Sequence, residues 1–342
     1  MLIGLNLISL RATIFAVFKN NPIYDFANSN ETKVSYNNYK FSLPNEDVRF
    51  KVSGNYAVQI YRDEKPSEIL ATICFTVVDP LVDIKGQVTP VMIDTDWSHQ
   101  RVNFDVDLKD LAVINPETEL KVNVLQNNRR DNLISNPHPS VVTRSVVSYN
   151  NSSNIVFAGG NEYRRMAFYK GKNGNFHVKE MMPKKNGYEV ILLDDRAKNN
   201  FAYQYQADLN GRYFIKCGQC DDSETEAQYC LVKFSLFGDE YTDGKVYVLG
   251  DIFNNQLSDA SEMIYNPATN QYELNSILKE GRYDYKYVYV PNDSALGEYI
   301  SIDGDYSQTE NEYTVYIYYR PTGGKYDKLI GITTIKNNPI GK

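Results

Sequence analysis

The sequence predicts an all-β fold, built from tandem immunoglobulin-like and early-set β-sandwich domains. Three observations predict it. Tyrosine is abundant, with 28 Tyr beside a single Trp, and tyrosine suits a half-buried pleated surface. Short β-branched and aromatic runs recur between turns rich in Ser, Asn and Gly. No segment shows the apolar spacing of an amphipathic helix.

Three blocks follow from the turn signals. The first, residues 1–79, reads as an N-terminal immunoglobulin-like sandwich, truncated at its start. In "GNYAVQIYRD" Tyr56, Val58 and Ile60 alternate with Ala57, Gln59 and Tyr61, a period-2 strand. "DEKP" reads as a turn, "ILATICFTVV" as the return strand, and Asp79-Pro80 as the linker that closes the block. The opening "MLIGLNLISLRATIFAVFKNN" makes a poor signal peptide, because it lacks a basic start and Arg11 interrupts its apolar run. It reads as a first strand pair, or as a start that has lost its leader.

The second block, 80–237, reads as a larger, loop-rich sandwich. In "QRVNFDVDL" Val102, Phe104 and Val106 share one face, and "DLNG" at Asp208 is a hairpin turn signal. The third block, 238–342, reads as an early-set-like sandwich whose strands include "KVYVLG", "SEMIYN", "QYELNSIL", "EYTVYIYYR" and "KLIGITTI". In "YDYKYVYV" one face carries Tyr283, Tyr285, Tyr287 and Tyr289.

Charge and hydropathy exclude two classes. The net charge of −7 arises wholly after Gly238, where 9 basic face 16 acidic residues. That balance lacks the basic footprint of a nucleic-acid binder. No run of about 18 uncharged apolar residues exists, so no helix crosses a membrane.

The chemistry-bearing motifs are sparse. "KCGQCDDSETEAQYC" holds Cys217, Cys220 and Cys230. The acidic loop disfavours a reactive thiol, and three thiols without a histidine make an incomplete zinc set. A hairpin would bring Cys217 or Cys220 to Cys230 as a structural disulfide in an oxidising compartment. "DTDW" at Asp94 and "SIDGDYSQTENE" at Ser301 lack the twelve-residue calcium pattern and read as solvated turn acids. His99, His138 and His177 stand apart from any nucleophile pattern. No cofactor motif is present, and no enzyme activity is expected.

A sugar reading also arises. "GDIFNNQ" at Gly250 has the turn of early-set modules that bind glycogen and starch, with Gln256 where their tryptophan is expected. The tyrosine stripe would offer a stacking platform, although alternate aromatics usually face the core. A periplasmic glycan-binding module is therefore the rival reading.

The Arg-rich loops around "QNNRRDN" and "FAGGNEYRRM" read either as loops held by Arg–carboxylate bonds or as a docking surface. In the second, Gly159-Gly160 makes a tight turn and Glu162 is close enough to pair with Arg164 or Arg165.

Taken in order from Phe41 to Ile332, several stretches resemble the plug proteins of the Bacteroidetes type IX secretion system. They are "FSLPNEDVRFKVSGNYAVQIY", "VNVLQNNRRDN", "FAGGNEYRRM", "YQADLNGRYFI", "DGKVYVLGDIFNN", "LKEGRYDYKYVYV" and "GDYSQTENEYTVYIYYRPTGGKYDKLIGI". The resemblance implies a non-enzymatic periplasmic protein on the inner side of the outer membrane. Its partner would be the giant outer-membrane β-barrel translocon, whose periplasmic opening it seals while no cargo is engaged. It also implies a signal peptide and a fuller first sandwich before Tyr36, which this sequence does not display. Arg129, Arg130, Tyr163, Arg164 and Arg165 are the expected contact residues.

Overall fold

The computed structural model describes residues 3–7, 15–17, 21–62, 65–171 and 174–337. Among the described residues strands dominate, and the two α-helices are single turns at Pro116–Glu119 and Ser223–Glu226.

The N-terminal part holds a four-stranded sheet in the order Asn21–Ile23, Ile3–Leu7, Gly54–Arg62, Lys65–Val77. Two small ribbons accompany it. Phe15–Val17 pairs with Val48–Phe50, and Phe26–Asn28 pairs with Asn37–Tyr39. The opening strands therefore pair with later segments and not with each other. Ile23 and Val58 are the buried centre of this part, with Tyr39, Leu43, Ile60 and Phe75 packed against them.

The second sandwich sets two sheets face to face. One is centred on Asp96–Asp107, which pairs with Asp83–Ile93 along one edge and with Val146–Ser148 and Val156–Ala158 along the other. The opposing sheet runs Ile134–Ser135, Leu120–Gln126, Glu312–Tyr319, Lys328–Lys336. Alternation places Val102, Phe104 and Val106 of the first sheet against Val122, Val124, Tyr313, Val315 and Ile317 of the second.

The third unit lies between these strands in sequence. Ten strands from Arg164–Phe168 to Gly281–Pro291 form one continuous sheet that closes over a single core. Gly187–Leu192 and Tyr229–Phe237 run parallel in it, and most other neighbours run antiparallel.

These pairings correct the expected division at 237/238. Glu312–Tyr319 and Lys328–Lys336 complete the second sandwich, and the strands Arg164–Phe168, Val178–Lys184, Gly187–Leu192 and Asp195–Arg196 belong to the third. The period of two identifies a strand without identifying its neighbour, and "EYTVYIYY" fits either sheet equally well. The "DLNG" turn is corrected likewise. Asn210 and Gly211 have φ of 53° and 82°, but Tyr213–Ile215 pairs with the distant Gly281–Tyr283 segment.

Candidate interaction surface

Strand Gly281–Pro291 is buried on both faces, and the expected contact residues cluster around it. Its tyrosine face, Tyr283, Tyr285, Tyr287 and Tyr289, lies in the core of the third unit, so it offers no sugar platform. Tyrosine rather than phenylalanine is needed there because each hydroxyl donates. Tyr283 donates to the Lys279 carbonyl at 2.5 Å, and Tyr289 to Asp243 at 2.7 Å. Tyr285 and Tyr287 both donate to Asp195 Oδ2, at 2.7 and 2.9 Å.

Arg164 enters the same polar centre. It donates to Asp195 Oδ1 at 2.8 Å, to Asp303 at 2.5 Å and to the Arg196 carbonyl at 2.8 Å. Burial would raise the Asp195 carboxyl, but His177, Arg164 and Tyr285 together hold it down to about 2.

On the opposite face of the strand, Asp284 and Lys286 are fully buried. Among the described residues Lys286 Nζ has no hydrogen-bond acceptor, and it lies over the rings of Tyr163 at 4.1 Å and Tyr299 at 5.0 Å. Burial lowers this amine to about 8, against the pull of Asp208 and Glu162. Arg129 also stacks on Tyr299, 4.6 Å from its ring, and pairs with Asp131 at 2.5 Å and the Gly297 carbonyl at 2.8 Å.

The structure therefore brings Arg129 and Tyr163 together through Tyr299 and Lys286, and places Arg164 in the separate Asp195 centre. All three are buried and do not present a contact surface, which corrects the expectation for them. The physical reason is that Arg164 pairs with buried Asp195 and Asp303, while the Tyr163 ring packs under Lys286 and Arg129 packs over Tyr299. Arg130 is exposed, and Arg165 is half-buried and donates to the Ala207 carbonyl at 3.0 Å. Glu162 pairs with neither arginine. It accepts from the Tyr203 hydroxyl at 2.5 Å and the Glu310 amide at 3.1 Å.

The segment at Gly159-Gly160 carries no turn in the fold, which corrects the expected tight turn. Gly160 has φ +63°, a left-handed conformation that favours glycine. Around it, the Gly159 amide donates to the Ser98 carbonyl at 2.9 Å, and the Tyr306 amide donates to the Gly160 carbonyl at 2.9 Å. Beside it, buried Asn311 donates to Gln100 at 3.0 Å and to the Gly159 carbonyl at 2.8 Å, while Asn127 donates to Asn311 at 2.7 Å. These bonds stitch the outgoing and returning chain between the second and third units.

The cysteines also differ from expectation. The disulfide joins Cys217 to Cys220, while Cys230 is a free, buried thiol. Alternation along Tyr229–Phe237 turns Cys230 inward among Val190, Val232 and Leu278, away from the loop.

Among the exposed large apolar side chains, three gather in one neighbourhood. Trp97 is 52% exposed, Phe201 69% and Ile300 60%, and all three line one cleft of about 750 Å3. Sequence reading misses this surface; its signal is the "DTDW" turn, which reads as merely solvated. Among the described residues no group of three or more His, Cys, Asp or Glu is placed to hold a metal ion.

Comparison with known proteins fits this architecture. Residues 10–79 match the family model described as the type 9 secretion system plug protein first domain. A crystal structure of a hypothetical protein from Parabacteroides merdae is 42% identical, with a TM-score of 0.95. The match covers 98% of this chain and 87% of that one. No curated protein matches the chain.

The chain belongs to the type 9 secretion system plug protein family.

As a plug-family protein it has a role related to type 9 secretion and partners within that system. The family-model match takes in the small N-terminal sheets apart from strand Ile3–Leu7. The buried arginine and tyrosine centres lie beyond it, in the part shared with the Parabacteroides structure. No described helix is long and apolar enough to cross a membrane.

Proposed function

We propose that the chain is a non-enzymatic periplasmic plug. It occludes the inner opening of the giant outer-membrane β-barrel translocon by protein–protein contact and leaves when the translocon is occupied. The observation that carries this reading is the match of residues 10–79 to the plug first domain. The fold supports it, because a stopper must resist deformation and the buried bonds between Gln100, Asn127 and Asn311 cross-brace the two sheets of the second sandwich. The glycan reading loses its platform, since the tyrosine stripe is core and Gln256 replaces the expected tryptophan.

Occlusion is tested by deleting the gene in the native host and measuring entry of a glycopeptide antibiotic too large for ordinary porins. The proposal expects increased sensitivity that depends on the translocon barrel. Unchanged sensitivity in a strain whose barrel is assembled and empty contradicts it.

A further inference from the structure

The Trp97 cleft has the make-up of a contact site. Trp97 and Ile93 stand at the turn between strands Asp83–Ile93 and Asp96–Asp107, and Phe201 and Ile300 approach from two loops of the third unit. The apolar side chains are exposed, yet their backbones are held. The Ser307 amide donates to the Trp97 carbonyl at 2.9 Å, and the Tyr306 hydroxyl donates to the Phe201 carbonyl at 2.5 Å. Such a surface loses little conformational freedom on binding, and an exposed tryptophan beside apolar neighbours has the character of an interface centre.

Charge decides what it binds. Asp94 and Asp96 are exposed on the rim, and no lysine or arginine lines the cleft among the described residues. The remaining polar lining includes the neutral amides of Asn199 and Asn200. An acidic rim around aromatic and aliphatic walls complements a cation joined to an apolar side chain.

We propose that this cleft receives a basic, apolar loop of the translocon, with a Lys or Arg side chain at Asp94 and Asp96 and its apolar neighbour over Trp97 and Phe201. The partner's identity rests on the plug reading above. The charge preference of the cleft does not.

Trp97 is the only tryptophan, so its emission reports occupancy directly. The full chain is titrated with a tryptophan-free hexapeptide alternating lysine and leucine, with its glutamate-for-lysine counterpart, and with maltoheptaose. The proposal expects a saturable blue shift with the basic peptide alone. In the double variant Asp94→Asn, Asp96→Asn its affinity falls about tenfold, as expected for the loss of two exposed charge pairs. No response to the basic peptide, an equal response to the acidic one, or a response only to the saccharide overturns it. Both aspartates are exposed, so the double variant is expected to fold normally. Capture of the barrel from solubilised outer membrane separates the two readings. If the wild-type chain captures it and the double variant does so equally, the cleft is not the contact and the plug reading stands. If the wild-type chain captures none while the peptide response persists, the plug reading and the translocon partner fall together.

Discussion

Arg164 and Asp303, 139 residues apart in sequence, meet at 2.5 Å in the interior. Asp195 completes the centre from the other side of the guanidinium. Removing one member leaves an uncompensated buried charge, which typically costs about 3–5 kcal/mol. Arg164→Ala is expected to lower stability by that amount, whereas Arg130→Ala, at an exposed site, changes it by less than about 0.5 kcal/mol. Urea unfolding of the two variants checks the contrast. Equal, small effects would mean that the Arg164 centre contributes little.

Asp284 links stability to pH. Burial pushes its carboxyl up from 3.8 to about 7, despite the Leu209 amide that donates to it. Asp208 raises it further, while Arg282 and Arg165 act against the shift. The folded state thus holds this proton more tightly than the unfolded chain does. Its contribution is fully present below about pH 4 and is lost as pH rises through about 7. Asp284→Asn keeps an acceptor for Leu209 and removes the ionisation. Its stability relative to the wild type is expected to rise between pH 4 and 7, by up to about 4 kcal/mol, and to level off above. Denaturation curves at pH 5 and pH 8 measure this, and a pH-independent difference contradicts it.

Gly159 sits where a Cβ would approach the Tyr306 carbonyl oxygen to 2.1 Å and the Ser98 carbonyl oxygen to 2.9 Å. Both neighbours are backbone, so neither can rotate aside. Gly159→Ala is expected to destabilise the fold by about 2 kcal/mol or more. Its thermal midpoint falls if the close approach matters; an unchanged midpoint would show that the seam can shift.

The thiols should separate by reactivity. Cys74 is exposed and Cys230 buried, and burial aided by the Glu280 charge pushes the Cys230 thiol up to about 12. A thiol reagent is expected to label Cys74 in the native protein and Cys230 only after unfolding. Non-reduced peptide mapping should recover Cys217 linked to Cys220. A Cys220–Cys230 crosslink would show that the loop is arranged differently.

Strands are legible in this sequence because alternation is local. Gly54–Arg62 and the tyrosine stripe both follow from residues two apart. Partners are not, since Tyr313 meets Gln126 across 187 positions and nothing local encodes that distance. Arg129, Tyr163 and Arg164 look like surface residues because arginine and tyrosine favour interfaces. The contrary signal is "YDYKYVYV" itself. With tyrosines packed on one face, Asp284 and Lys286 occupy the other, and covering that face requires polar and aromatic partners from elsewhere in the chain. The cleft at Trp97 stays hidden for the same reason: Phe201 and Ile300 join it only in the folded chain.

The central claim is that this chain seats in the type 9 translocon. Its most direct test is to express the tagged full-length protein in its native host, solubilise the outer membrane in mild detergent, and identify what co-purifies. The account predicts a very large β-barrel protein that is retained from resting cells and lost when the translocon is saturated with cargo. A folded, correctly exported protein that brings down no such barrel would contradict it.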